Sequence, residues 1–186
     1  MKHITLRLLP IAALAVAGLA LTSCGDDDKS TWEQYKDWRQ ANIDFFEAEK
    51  YRITESGVNE YTPLTPAWNI GSQILVKYLS DRSKTEGNLS PLLTSTVKVK
   101  YIGRLYNNVA FDSSYLMTDS VLETSVGDVI AGWTTALQYM RVGDSARVVI
   151  PYSMAYGASG SGSIPPYSTL VFDMKLTDIV DYEAKP

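Results

Sequence analysis

The chain has 186 residues, 45% of them apolar and 11% aromatic, which is too apolar for a disordered chain and a length suited to one domain, or to one domain with an extension. Its formal charge is −4 and no Lys/Arg cluster occurs, which argues against a nucleic-acid partner. The single His, His3, and the single Cys, Cys24, both fall in the first 24 positions. If that stretch is a leader, the mature domain holds neither imidazole nor thiol. Ser-His-Asp and Cys-His catalysis, histidine-bound metals and internal disulfides are then excluded. No metal or other cofactor is expected, and any chemistry must come from carboxylates, hydroxyls, aromatic surface and backbone.

Residues 1–23 have the form of a signal peptide. Lys2 and Arg7 accompany an apolar run of 14 residues, Leu8 to Leu21, short for a membrane span and right for a leader. The run ends in Leu21-Thr22-Ser23-Cys24-Gly25, which resembles a bacterial lipobox, whose Cys is acylated and becomes the new N-terminus. Loss of Lys2 and Arg7 leaves 15 basic against 21 acidic residues, a net −6. Residues 24–30 include Asp26-Asp27-Asp28 and read as a solvated acidic tether, or as a sorting signal like that of some surface-exported lipoproteins. Gly25 stands where the usual inner-membrane retention signal has Asp. The expectation is a lipid anchor at Cys24 outside the inner membrane, at the outer membrane, on its periplasmic face or the cell surface. Each buried methylene contributes about 0.8 kcal/mol to such anchoring.

Ser30 and Glu33 are spaced as a capping box. Trp32, Tyr35, Trp38, Asn42, Phe45 and Phe46 then recur at helical spacing. The pattern predicts an amphipathic helix from Thr31 to about Lys50. It is docked on its own domain, or else makes a homodimer or client contact through residues 31–50. Tyr51 to Pro66 reads as irregular structure or a short strand, so residues 31–66 form a helical extension and joining region before a main domain at 67–183. In that domain Ile74 to Leu79 is a strand candidate and Ser80 to Pro91 a loop. Val97, Val99 and Tyr101 alternate with Lys98 and Lys100; Ala146 to Ile150 is a short strand stopped by Pro151; Leu170, Phe172, Met174 and Leu176 alternate again. Ile130, Trp133, Leu137 and Met140 share one face of a short helix. The fold class is α+β, an antiparallel sheet wrapped on one short helix.

The stretches Val97 to Gly103, Phe111-Asp112-Ser113-Ser114, Val129-Ile130-Ala131-Gly132-Trp133, Ala155-Tyr156-Gly157, Ile164-Pro165-Pro166 and Thr169 to Asp173 occur in order. Together they resemble an FKBP-type peptidyl-prolyl cis-trans isomerase domain, over a little under half of the chain. The resemblance implies an FKBP-like fold and catalysis of X-Pro isomerisation in exported proteins. It implies Trp133 as the floor beneath the proline ring, with Tyr101, Phe111, Val129, Ile130 and Phe172 as walls. Tyr156 would give its hydroxyl to a substrate carbonyl and the Ile130 N–H would serve another. Asp112 would lie at the rim near the Tyr101 hydroxyl, and Ile164 would flank the opening. Implied partners are proline-containing polypeptides and macrolides such as rapamycin. Leu122 stands where the family often has an aromatic wall, and Ser161 near a common family histidine in a loop about one residue short. Both departures bear on substrate preference and macrolide affinity more than on isomerisation.

The barrier to X-Pro rotation, about 18–20 kcal/mol, is the resonance that rotation breaks. The planar amide is the more polar and gains more from water, so a pocket that excludes water raises it relative to the twisted state. Each 1.36 kcal/mol so gained is about tenfold in rate. No nucleophile or metal is needed. Two other readings stand beside this one: a catalytically weak chaperone or binding lipoprotein on the same fold, and a carbohydrate-binding lipoprotein using Trp32, Trp38 and Trp68.

Overall fold

A computed structural model of the chain describes residues 30–183. The leader, Cys24 and the acidic tether up to residue 29 lie outside the described residues. Strand β1 spans Thr62–Leu64, β2 Ile74–Tyr78, β3 Thr96–Leu105, β4 Ala110–Ser113, β5 Leu122–Ser125, β6 Ser145–Ile150 and β7 Leu170–Asp181. They form one antiparallel sheet in the order β1-β2-β6-β7-β3-β4, with β5 also paired to β3.

Alternation builds the two long central strands. β3 turns Val97, Val99, Tyr101 and Leu105 to one face, and its neighbour β7 turns Leu170, Phe172, Met174 and Leu176 the same way, as side chains of period two must. Helix α3, Ala131–Tyr139, closes that face with Trp133, Ala136 and Leu137. Glycine is required at its start, since a Cβ on Gly132 would overlap the Ile150 side chain of β6. Thr134 Oγ1 donates to the Val126 carbonyl at 2.8 Å and ties the helix to the segment after β5. On the opposite face Leu75 and Val149 form a smaller cluster with Phe46 and Tyr61.

The N-terminal helix is interrupted once. α1 spans Thr31–Gln34 and α2 spans Lys36–Lys50, with Tyr35 (φ −102°, ψ 20°) between them. The Ser30 hydroxyl accepts from Glu33 N, as the capping spacing predicts. The bend at Tyr35 folds Trp32 back over Arg39, whose Nη1 donates to the Trp32 carbonyl at 2.5 Å. α2 docks on its own domain. Thr169 N donates to Asn42 Oδ1 at 2.6 Å, and Trp38 Nε1 donates to Ser168 Oγ at 3.2 Å. Phe46 is buried and Phe45 packs beside it, so the aromatic face is used within the chain.

Three boundaries differ from the sequence reading. The sheet begins at Thr62, inside the segment read as a joining region, because Thr62–Leu64 pairs with Ile74–Val76. The 80–91 loop contains a 3-10 turn, Arg82–Thr85, pinned where Thr85 Oγ1 donates to the buried Asp144 carboxylate at 2.6 Å. β7 runs on to Asp181, past the last alternating Leu176, since its pairing with β3 extends to Thr96.

Candidate active site

The main core opens between α3 and the β3/β4/β7 end of the sheet into a cavity of about 300 Å³. Trp133, 4% exposed, is its floor. Its indole meets Tyr101 (centroids 4.9 Å apart) and Phe172 (5.2 Å) edge to face, and Phe172 meets Phe111 in the same way at 5.6 Å. Such mutual edge-on packing fixes four rings without stacking any of them flat. Glycine at 103 on β3 makes room for it, because a Cβ there would stand 2.7 Å from the Phe111 ring and 2.8 Å from that of Phe172. The Trp133 indole N–H is buried with no partner among the described residues.

The polar groups sit at the rim. Tyr101 donates its hydroxyl to Asp112 Oδ2 at 2.6 Å, while Asp112 Oδ1 accepts from Ser113 N at 2.7 Å. Burial, and then the Asp112 carboxylate, push the Tyr101 hydroxyl well above the usual tyrosine pKa. Tyr156 is raised by burial and then by the same carboxylate. Both phenols therefore remain protonated donors at neutral pH. The Tyr101 proton is committed to Asp112. Among the described residues neither the Tyr156 hydroxyl nor the Ile130 N–H has an acceptor. The cavity thus offers an apolar bed with two donors beside it, suited to a small apolar ring flanked by carbonyls.

Of the residues singled out from the sequence, Tyr101, Phe111, Asp112, Leu122, Val129, Ile130, Trp133, Tyr156 and Phe172 all line this cavity. Ile164 does not. Its N–H and C=O pair with Ser161 across a tight turn, and its side chain is 7% exposed in the main core. It supports the loop over the site instead of flanking the opening. Asp128 lines the cavity and was missed; its position directly before Val129-Ile130 was the available signal. Trp32 packs on Arg39 at a half-exposed position, Trp38 donates to Ser168 within the fold, and Trp68 lies beside Gln138 and Tyr139. The three tryptophans do not form the surface that a carbohydrate reading needs. Among the described residues no group of three or more His, Cys, Asp or Glu side chains could hold a metal ion.

An antiparallel sheet wrapped on one helix, with a tryptophan-floored cavity between them, defines a class of small-ring binding domain. Residues 88–177 match the model of the FKBP-type peptidyl-prolyl cis-trans isomerase family. A macrophage infectivity potentiator from Trypanosoma cruzi is 43% identical over 53% of the chain and 50% of its own length. An Escherichia coli FKBP-type 22 kDa peptidyl-prolyl cis-trans isomerase is 39% identical over 56% of the chain and 59% of its own. The chain therefore spans between half and three fifths of these curated relatives. Among solved structures, a peptidyl-prolyl isomerase from Pseudomonas syringae superimposes with a TM-score of 0.63 at 29% identity, covering 78% of this chain and 95% of its own. FkpA from Escherichia coli does so at 0.66 and 26% identity, covering 82% and 63%.

Proposed function

We propose that the protein is a peptidyl-prolyl cis-trans isomerase acting on proline-containing polypeptides. The observation that carries this reading is the cavity itself, where Trp133, Tyr101, Phe111 and Phe172 surround an apolar space edged by the Tyr156 hydroxyl and the Ile130 N–H. A proline ring resting on Trp133 brings its preceding amide out of water. That raises the polar planar amide relative to the less polar twisted one, and the rim donors hold the flanking carbonyls while the C–N bond turns. No bond is made or broken. The same apolar bed would accept a macrolide such as rapamycin, with Leu122 in place of an aromatic wall weakening that contact.

Cys24 is the acylated residue in this reading, holding the domain outside the inner membrane, at the outer membrane, where its clients are exported chains. The support is the single cysteine placed directly after Leu21-Thr22-Ser23. A homodimer through residues 31–50 would have to rely on the half-exposed Trp32, because Trp38, Phe45 and Phe46 pack on the chain's own sheet. A protease-coupled assay with a short X-Pro peptide tests the activity. Acceleration that survives EDTA is expected, and a rate equal to buffer with folded protein would refute it. Cys24→Ser should move the protein from the detergent to the aqueous phase; unchanged partitioning would place the anchor elsewhere.

A further inference from the structure

Both backbone hydrogen bonds of Gly157, the residue after Tyr156, end on tyrosines, and one of these, Tyr167, packs against the N-terminal helices. Gly157 N donates to the Tyr152 carbonyl at 2.9 Å, and Tyr167 N donates to the Gly157 carbonyl at 2.8 Å. The Tyr152 and Tyr167 rings meet edge to face with centroids 5.5 Å apart. Tyr167 also meets Trp32 edge to face at 5.6 Å. Arg39 of α2 packs beside this pair, its guanidinium 3.2 Å over the Trp32 ring and 5.3 Å from that of Tyr167. Arg39 is 8% exposed, unusual for an arginine on a short surface helix. The return of the loop is fixed by the bonds from Trp38 to Ser168 and from Thr169 to Asn42. Tyr167 has φ +60°, in the left-handed region that a tyrosine keeps only where its surroundings hold it.

This inference rests on the isomerase reading above. We propose that Arg39 is a positioning residue for the reaction, acting through Tyr167 and Gly157 to fix the Tyr156 hydroxyl over the cavity. Arg39 is not among the cavity residues, so it does not touch substrate. Tyr156 is 38% exposed and sits in a turn, which gives its ring little core contact of its own. A donor that must meet a carbonyl within hydrogen-bond reach loses much of its effect when misplaced by an ångström. Clamping the turn from both sides removes that freedom, and the clamp belongs to a segment outside residues 88–177 that match the family.

The test is a double-mutant cycle on the full chain in detergent, with kcat/KM on an X-Pro tetrapeptide and melting temperature as readouts. Arg39→Met and Trp32→Ala should each lower kcat/KM by about three- to tenfold, the range of one disturbed hydrogen bond. Arg39→Lys should recover little, because an ammonium lacks the flat face that packs over the Trp32 ring. In a Tyr156→Phe background either change should cost less than about twofold, since the hydroxyl being positioned is already gone. A full multiplicative loss in that background overturns the proposal, as does wild-type turnover by both single variants. If Arg39→Met does not fold, Trp32→Ala at its half-exposed position decides by the same criteria. An unaltered chain that accelerates no peptide overturns the isomerase reading instead.

Discussion

The face of the sheet under α3 is closed by apolar volume: Val97, Val99, Val148, Leu170 and Leu176 surround the aromatic floor, and all are buried. The face under α2 buries only Phe46, Tyr61, Leu75 and Val149 as its apolar cluster, and beside them Arg147 grips Asp173 with two hydrogen bonds of 2.7 and 2.8 Å while Arg104 adds a third at 2.9 Å. One face depends on close packing, which transmits every change of volume. The other depends on charge and hydrogen bonding, which respond to pH and salt. The candidate site lies on the first face, and the helices that hold its loop lie against the second.

The largest effect expected on the packed face is that of Trp133→Ala. Removing a buried indole that touches Tyr101 and Phe172 should cost about 3–5 kcal/mol, read from the urea midpoint, and it should abolish turnover. A cost below about 1 kcal/mol would mean that the floor is not tightly packed. Because instability alone can remove activity, Trp133→Leu is the companion. It keeps apolar bulk and should melt near wild type while losing most isomerisation.

A smaller effect is expected on the ionic face, from Asp173→Asn. The hydrogen bonds from Arg147, with the nearby charges of Arg147 and Arg104, hold the Asp173 carboxyl below the usual carboxylate range. A group whose pKa is depressed on folding stabilises the fold above its unfolded pKa, and loses that contribution as pH falls through the folded value. Asp173→Asn should thus be less stable than wild type at pH 7, and the gap should close below about pH 4. Added salt should narrow it too, since these side chains are partly exposed. A gap independent of both pH and salt would show that this face is also held by packing. Urea titrations from pH 2 to 7 separate the two.

The packed face was the legible one. β3, β7 and α3 announce themselves by periods of two and 3.6 because one side of each is buried, and β6 by a short apolar run stopped at Pro151. The ordered motifs brought nine of the ten expected residues to one cavity. β4 and β5 escaped notice because four residues are too few for alternation to register. Ile164 was misplaced because its role depends on a turn formed with Ser161, which the motif alone does not encode. On the other face the informative residues were polar. Asn42 stood among the aromatic positions of the helix, where a polar side chain must find a buried partner, and Thr169 is that partner. Arg39 carries no such signal, yet it is buried, with its guanidinium over the Trp32 ring and close to that of Tyr167. Periodicity records which side of an element is covered, and it does not say by what.

The smallest effect reports on the cavity most directly. Tyr156→Phe removes one hydroxyl at a partly exposed position and keeps the ring, so both faces should keep their stability and the melting temperature should not move. If that hydroxyl bonds a substrate carbonyl, its loss is worth about 0.5–1.5 kcal/mol, a two- to twelvefold fall in kcat/KM. The raised pKa of Tyr156 adds a second constraint. The donor stays protonated, so wild-type turnover should be flat from about pH 6 to 9, with no limb for the substitution to remove. Tyr101→Phe makes the contrast: it strips Asp112 of a 2.6 Å hydrogen bond and leaves the carboxylate at the rim with the Ser113 N–H alone, so its loss should depend on the charge of the peptide. If Tyr156→Phe turns over at the wild-type rate, the hydroxyl is a bystander and rate enhancement comes from the apolar bed alone. Trp133→Leu should then still be impaired, and only if both variants match wild type does the cavity cease to be the active site.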